Sequence, residues 1–211
     1  MNFIIAGIHT GIGKTICSAV LTEALQFDYW KPVQAGDLES TDSHFIQNHI
    51  ENKRTRIIPE AYRLTIPASP HFAAAQDGVE IILDKLTLPK SDNSIIVETA
   101  GGILSPLSDT LVNLDLIKHL GLPAVLVTND YLGSINHTLL SVEILRGANI
   151  EILGLVFSGQ RVDATRTFIQ NYTGLKTLLA VPFFENLTRE ALVSFVKDNP
   201  QIQRFDELYA L

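Results

Sequence analysis

Short apolar runs alternate along the chain with longer segments of helical periodicity. The apolar runs predict strands at 2–6, 28–31, 94–98, 123–128, 152–157 and 177–181. The periodic segments predict helices at about 14–25, 41–50, 79–87, 110–120, 135–147, 162–172 and 188–197. Continuously apolar strands are typical of sheets that are covered on both faces. The alternation therefore predicts a three-layer α/β fold with a central, mostly parallel sheet.

One segment, residues 51–78, interrupts this alternation. It contains three prolines and no clear period, which predicts an irregular insertion with room for a short extra strand. Long irregular loops in compact domains are often functional. The sequence shows no internal repeat and no linker, so we expect a single domain over residues 1–211.

Charge and composition exclude some classes of protein. The 211 residues are 46% hydrophobic, which allows one substantial core. The formal net charge is −7. The basic stretch KRTR at 53–56 is short, so we expect no nucleic-acid partner. The N-terminal apolar run is too short for a signal-peptide core or a membrane span, and we expect no membrane association.

The single cysteine, Cys17, cannot form a disulfide within the chain. This count fits a reducing compartment, and we expect a cytoplasmic protein. A reactive thiol is one interpretation of Cys17. Its place inside a predicted helix favours a buried packing residue.

The stretch IIAGIHTGIGKT near the N-terminus places a glycine loop between a predicted strand and a predicted helix. Gly11 and Gly13 allow a tight turn that aims backbone N–H groups inward. Lys14 brings a compact charge to the β- and γ-phosphates, and Thr15 offers a hydroxyl to Mg²⁺. The pattern predicts a P-loop that binds a nucleoside triphosphate, although its first glycine, Gly7, comes one residue earlier than in the common spacing.

Polar residues follow the predicted strands, at the edge where ligands of open α/β sheets lie. Lys31 follows the second strand, and Glu98 ends the third with a carboxylate that could hold Mg²⁺. Asp42 begins the next helix, either as a second metal ligand or as a carboxylate favoured by the helix dipole. Ser134 is a suitable N-cap for the helix after the fourth strand, whose free N–H groups could bind a carboxylate. Surface exposure of Lys31 and simple capping by Ser134 are the alternatives.

Taken together, these segments resemble dethiobiotin synthetase. The resemblance covers essentially the whole chain, in order, and its landmarks are AGIHTGIGKT, KPVQAG, TDSHFIQ, PASPHFAAAQDG, VETAGGILSPLSDT and LGSINHTLLSVEIL. It implies the P-loop NTPase fold and a homodimer whose sites are shared across the interface. The implied reaction carboxylates 7,8-diaminononanoate with CO₂ (or bicarbonate), phosphorylates the carbamate with ATP and Mg²⁺, and closes the ureido ring in biotin biosynthesis.

The resemblance also implies roles for individual residues. Lys31 would hold the carbamate, and Lys14 would neutralise the transferring phosphoryl group. The metal ligands would be Thr15, Asp42 and Glu98. The nucleotide would contact Gly11, Ile12, Gly13, Lys14, Thr15, Ile16, Asp42, Glu98, Thr99, Ala100, Gly101, Pro182, Phe183 and Phe184. The substrate would contact Thr10, Lys31 and Ala35, with Gly133, Ser134, Ile135 and Asn136 supplied by the other subunit.

Four residues depart from the family pattern. Ala35 replaces a frequent hydroxyl residue, and Thr99 stands where glycine is usual. Ser158 and Gly159 stand where some relatives have Asn-Asp, and they cannot copy the paired donor and acceptor with which that asparagine reads adenine. Two other functions remain open: a nucleotide-switched partitioning or maturation ATPase, and a non-catalytic binding module. The glycine loop lacks the extra lysine of many such switches, and the polar strand ends argue against the module.

Overall fold

Residues 1–204 are described by the computed structural model, with side chains described as far as residue 202. Over these residues the chain forms a seven-stranded sheet and a separate two-stranded sheet, and every strand pair is parallel. The strands are β1 (Phe3–Gly7), β2 (Asp28–Trp30), β3 (Val33–Ala35), β4 (Ile57–Ile58), β5 (Tyr62–Leu64), β6 (Ile95–Gly102), β7 (Ala124–Asn129), β8 (Ile152–Ser158) and β9 (Thr177–Val181). The large sheet has the order β4-β2-β6-β1-β7-β8-β9.

Helices cover both sides of this sheet. They are α1 (Lys14–Leu25), α2 (Asp42–His49), α3 (Pro70–Gln76), α4 (Asn113–Leu120), α5 (Ser134–Gly147), α6 (Asp163–Thr173) and α7 (Arg189–Asp198), with 3₁₀ turns at Leu83–Lys85 and Pro200–Arg204. The predicted three-layer fold with a mostly parallel sheet is confirmed. None of the helices within residues 1–204 has the length and apolar character needed to cross a membrane.

The first strand, β1, lies in the middle of the sheet. Ile4 pairs with Val97 of β6 on one side and with Ala124 of β7 on the other. All five residues of β1 are buried, and burial of each large aliphatic side chain contributes about 1.5–3 kcal/mol. Because every strand runs the same way, the carboxyl ends of β1, β2 and β6 meet at one edge of the sheet.

The insertion at 51–78 is more regular than the sequence predicts. It contains β4, β5 and α3, and β5 pairs with β3 outside the large sheet. A second apolar cluster, with Val33, Leu64 and Leu86 at its centre, lies beneath it. The second predicted strand, 28–31, ends at Trp30. Pro32 removes a backbone donor there, and the chain leaves the large sheet to form β3, which the sequence did not predict.

The prediction of a helix at 79–87 is wrong. The helix of this region is α3, which begins with Pro70 at its first position and ends before Gly78, whose φ is 65°. Only a 3₁₀ turn, Leu83–Lys85, lies inside the predicted range. The apolar residues that suggested a helix there instead fill the second cluster, in which Ile81 and Leu86 are buried.

Candidate active site

The glycine loop joins the end of β1 to the start of α1. Gly11 and Gly13 have φ values of 72° and 89°, in the left-handed region that favours glycine. A Cβ at Gly13 would also lie 2.2 Å from the Ser158 hydroxyl, so this position has no space for a side chain. The sequence therefore needs glycine here for two reasons, and the first turn of α1 is left open toward the loop.

Lys14 folds back over this loop. Its ammonium donates a hydrogen bond to the His9 carbonyl at 3.2 Å, and only 7% of the residue is exposed. Its carbon chain lies over Gly7, where a Cβ would come within 2.8 Å of Lys14 Cδ. Burial lowers the pKa of Lys14 to about 8, against the opposing effect of the Glu98 carboxylate.

Glu98 is 1% exposed and accepts two hydroxyl hydrogen bonds. Thr15 donates to Oε1 at 3.1 Å, and Tyr29 donates to Oε2 at 3.0 Å. Sequence reasoning missed Tyr29, which it included in the second predicted strand without assigning it a role. The available signal was that a buried tyrosine hydroxyl needs a partner. Glu98 also lies within β6, which continues to Gly102 beyond the predicted end of the third strand.

Lys31 and Asp42 form an ion pair at the edge of the sheet. Lys31 directly follows β2 and is 7% exposed, so the alternative of a surface lysine is wrong. Burial lowers its pKa, and the carboxylates of Glu98 and Glu60 oppose that shift. Asp42 is the first residue of α2, whose N-cap Thr41 accepts a hydrogen bond from the backbone N–H of His44.

One cavity of about 370 Å³ brings most of these groups together. Its walls hold two buried ammonium groups, two carboxylates and the Thr15 hydroxyl, around an open glycine loop. The residues lining it are Thr10, Gly11, Gly13, Lys14, Thr15, Ile16, Lys31, Asp42, Glu98 and Gly101. Such a site can hold a polyanion between positive charges and backbone N–H groups.

A second cavity of about 430 Å³ adjoins the first, and Thr10 lines both. Its walls combine apolar residues with polar groups from β6, α5 and the glycine loop. The residues that line this second cavity include Ile8, His9, Ile103, Leu140, Ser141 and Ile144. The rings of His9 and His137, both lining this cavity, stack with centroids 6.1 Å apart. The two cavities together offer a charged end and a more apolar end.

The start of α5 differs from the prediction. Gly133, with a φ of 100°, is the N-cap, and Ser134 is the first helical residue. The prediction that Ser134 caps the helix is therefore wrong. Ser134 is fully buried, and its hydroxyl accepts a hydrogen bond from the Tyr131 backbone N–H at 3.4 Å. Gly133, Ser134, Ile135 and Asn136 line neither of the two cavities, although His137 of the next turn does.

Several other predicted contacts lie away from the charged cavity. Ala35 packs against the second apolar cluster. Thr99 is 1% exposed and donates a hydrogen bond to the Ile5 carbonyl at 3.3 Å. Ile12 is buried in the main core, and the carbonyl of Ala100 accepts a hydrogen bond from the Asn113 amide. Pro182, Phe183 and Phe184 follow β9 and do not line this cavity. Their contacts with ligands stay predictions.

The donors of the cavity fit a hard divalent cation. Thr15, Asp42 and Glu98 offer oxygen atoms, the ligands that Mg²⁺ prefers. No group of three His, Cys, Asp or Glu side chains in the described part of the chain could hold a metal alone. Mg²⁺ is usually held by one or two carboxylates together with phosphate oxygens and water. The two carboxylates and one hydroxyl of this cavity fit that arrangement.

Comparison with known proteins places the chain in a family. A family model described as an AAA domain matches residues 1–191. The ATP-dependent dethiobiotin synthetase BioD of Cytophaga hutchinsonii is 46% identical over 99% of this chain and 98% of its own. The protein of the same name from Brucella ovis is 43% identical over 90% of each chain.

Among solved structures, the septum site-determining protein MinD of Pyrococcus horikoshii OT3, complexed with Mg-ADP, is similar in fold. It has a TM-score of 0.57 and 17% identity, over 99% of this chain and 95% of its own. At that identity the likeness concerns the fold alone, and it confirms the P-loop NTPase architecture. The much closer match along nearly the whole sequence decides the family: the chain belongs to the ATP-dependent dethiobiotin synthetases, which are carbon–nitrogen ligases.

Proposed function

We propose that this protein makes dethiobiotin in the cytoplasm from 7,8-diaminononanoate, CO₂ and ATP, with Mg²⁺. ATP-dependent dethiobiotin synthesis in biotin biosynthesis follows from the family. The single observation that supports the detailed reaction is that two buried lysines, Lys14 and Lys31, line one cavity. The oxygen donors Thr15, Asp42 and Glu98 line the same cavity. Many nucleotide switches carry their extra lysine inside the glycine loop, whereas Lys31 follows β2. A binding module has no need for a second buried ammonium group beside the phosphate site.

The main difficulty of the reaction is to bring two anions together. A carbamate and a triphosphate repel each other, and each must lose water before it can react. Lys14 lies over the glycine loop, and Lys31 faces the same cavity from the end of β2. We infer that Lys14 faces the transferring phosphoryl group and that Lys31 faces the carbamate. Lys31 would have to exchange its partner Asp42 for the substrate, because both are paired in the present structure.

The chemistry then proceeds in three balanced steps. One amine of the substrate attacks CO₂ and loses a proton, which gives a carbamate. A carbamate oxygen attacks the γ-phosphorus of ATP, the bond to the β-phosphate oxygen breaks, and ADP leaves. The second amine attacks the carbonyl carbon of the mixed anhydride, phosphate leaves, and loss of a proton gives the cyclic urea. Holding the reactants together can supply several kcal/mol of the barrier.

Mg²⁺ would be held by Thr15, Asp42 and Glu98, and when bound it would neutralise charge on the phosphates. The protein's own groups do the rest. The N–H groups of the glycine loop orient the phosphates, and Thr10, which lines both cavities, lies where the amines would meet the phosphoryl group. The more apolar second cavity suits the aliphatic chain of the substrate.

We further propose a homodimer in which the N-terminus of α5 serves the neighbouring site. Gly133, Ile135 and Asn136 offer backbone N–H groups at that end of the helix, whereas the N–H of Ser134 donates to the Tyr131 carbonyl at 2.9 Å. All four residues lie outside both cavities of their own chain. Large apolar side chains nearby are exposed: Leu132 at 104%, Leu140 at 54% and Leu104 at 51%. Such a patch is typical of a protein interface.

The direct test is an assay for dethiobiotin from diaminononanoate, bicarbonate and each of several nucleoside triphosphates. We expect product and phosphate to appear together and to require the diamine and bicarbonate. Phosphate release without them would favour a switch, and no release with any nucleotide would favour a binding module. The series also shows how the chain, with Ser158 and Gly159 at the end of β8, selects its base.

The shared site can be tested by complementation. A variant with Asn136→Asp, whose added negative charge opposes a substrate carboxylate at this end of the helix, and one with Lys31→Ala should each be weakly active. Mixing them should restore activity, because a heterodimer contains one complete site. Lys118→Ala, which changes an exposed lysine of α4, is the control. Proven subunit exchange without recovered activity would refute the shared site and leave the reaction itself untouched.

A further inference from the structure

The hydroxyl of Tyr29 points along the sheet toward the candidate metal site. Tyr29 in β2 pairs with Ile96 of β6, and Glu98 lies two residues further along β6 on the same face. Two residues advance about 6.6 Å along a strand, which is close to the reach of a tyrosine side chain. The hydroxyl therefore meets the Glu98 carboxylate, at 3.0 Å from Oε2, where Tyr29 is fully buried.

We propose that Tyr29 is a positioning residue that fixes the Glu98 carboxylate for metal binding. This inference rests on the proposed function, because it assumes that Glu98 helps to hold Mg²⁺. The Tyr29 hydroxyl occupies Oε2, while Oε1 faces Thr15, whose hydroxyl lies 3.1 Å away. Oε2 is thus held by β2, and Oε1 faces Thr15, which lines the charged cavity together with Glu98.

Without this anchor the carboxylate would have partners that compete with a metal. Lys14 and Lys31 are both buried ammonium groups near Glu98, whose negative charge raises the pKa of each against the effect of burial. A carboxylate free to rotate would pair with one of them. That pairing would remove an oxygen from the metal site and a positive charge from the substrate anions at the same time.

Packing alone does not require this hydroxyl. The ring of Tyr29 belongs to the main apolar core, where phenylalanine would fill the same space. Tyr62 provides a matched comparison elsewhere in the molecule. It is 8% exposed, belongs to the second cluster, and its hydroxyl accepts a hydrogen bond from the Ile82 N–H, also at 3.0 Å.

The experiment compares Tyr29→Phe with Tyr62→Phe. Binding of Mn²⁺, as a probe for Mg²⁺, is measured by electron paramagnetic resonance on the full-length protein with ADP. We expect the Mn²⁺ dissociation constant to rise at least fivefold in Tyr29→Phe and to stay within twofold of wild type in Tyr62→Phe. Both variants should lose thermal stability, so stability alone cannot produce the difference. In turnover assays of Tyr29→Phe, the Mg²⁺ concentration that gives half the maximal rate should rise by a larger factor than the KM for the diamine.

Glu98→Gln separates this inference from the proposed function. If Glu98→Gln weakens Mn²⁺ binding and Tyr29→Phe does not, the role of Tyr29 is refuted and the metal site stands. If neither variant changes Mn²⁺ binding, both the metal site and the inference fail. The double variant should bind Mn²⁺ like Glu98→Gln alone, because Tyr29 acts only through the carboxylate. A further loss of Mn²⁺ binding in the double variant, beyond that of Glu98→Gln alone, would overturn the inference.

Discussion

Replacement of Lys14 by methionine tests the electrostatics of the charged cavity without any ligand. The ammonium group is 7% exposed, and burial lowers its pKa from 10.5 to about 8. Folding therefore works against the charged form of Lys14 at neutral pH. Methionine keeps much of the carbon chain and removes the charge. We expect Lys14→Met to unfold less readily than wild type at pH 7, while it loses dethiobiotin synthesis.

The pH dependence gives this prediction its magnitude. Because the pKa of Lys14 is lower in the folded protein than in the unfolded chain, the unfolded chain binds more protons between the two values. The contribution of Lys14 to the stability of the wild type therefore rises with pH above about 8 and levels off above 10.5. Linkage between a folded pKa of about 8 and an unfolded pKa of 10.5 gives about 2 kcal/mol between pH 7 and pH 9.5. Lys14→Met lacks this contribution to the free energy of unfolding. Its greater stability relative to wild type should therefore decrease by about that amount between pH 7 and pH 9.5.

Urea unfolding at pH 7, 8 and 9.5, without nucleotide or divalent cation, measures the difference directly. Titrating groups far from Lys14 are common to both proteins and cancel in the comparison. Lys118→Met on the exposed side of α4 serves as the control and should show no such trend. A stability difference for Lys14→Met that stays constant with pH, or grows, would show that Lys14 is not held in the way described.

Three further changes test other parts of the molecule. Lys31→Ala should lower dethiobiotin formation at least about 100-fold while ADP binding, measured by calorimetry, is retained; normal ring closure would reject its role. Gly13→Ala should weaken ADP binding more than tenfold, because the φ of 89° and the Ser158 hydroxyl 2.2 Å from the new Cβ both oppose it. Gly121→Ala is the control, because Gly121 has a φ of 62° but open space around it, and it should cost only about 1 kcal/mol of stability. If Gly121→Ala weakened ADP binding as much as Gly13→Ala does, the crowding at Gly13 would not be the cause. In Asp28, burial raises the pKa, but hydrogen bonds from Ser91, Arg56 and Asn93 outweigh it and lower the pKa. Asp28→Asn should therefore cost about 1–3 kcal/mol at pH 7, and the cost should fade as the pH drops below about 4, as followed by urea unfolding.

The fold was predictable because its strongest signals are local. Continuously apolar runs predict buried strands, and the strand-loop-helix context of Gly13-Lys14-Thr15 predicts the phosphate loop. The prediction that Cys17 is a buried packing residue is also confirmed, since it is fully buried and burial raises its pKa to about 12. Each of these features depends on residues that are close together in the sequence.

What the sequence could not provide depends on contacts between distant segments. The short strands β3 and β5 carry weak local signals and exist because they pair with each other outside the large sheet. The hydrogen bond of Tyr29 to Glu98 joins two strands that are 69 residues apart. The helix predicted at 79–87 failed for the same reason, because its apolar residues are used for packing in the second cluster and not along a helix.

The central place of β1 has a consequence for the order in which the molecule can assemble during translation. The strand that leads into the phosphate loop is made first, yet its neighbours begin only at residues 95 and 124. Until both have been synthesised, a nascent chain displays an apolar segment without partners, and the glycine loop has no rigid base. We expect ribosome-bound chains that end before residue 95 to fail to retain nucleotide, and retention by such a chain would show that the loop forms without its neighbours.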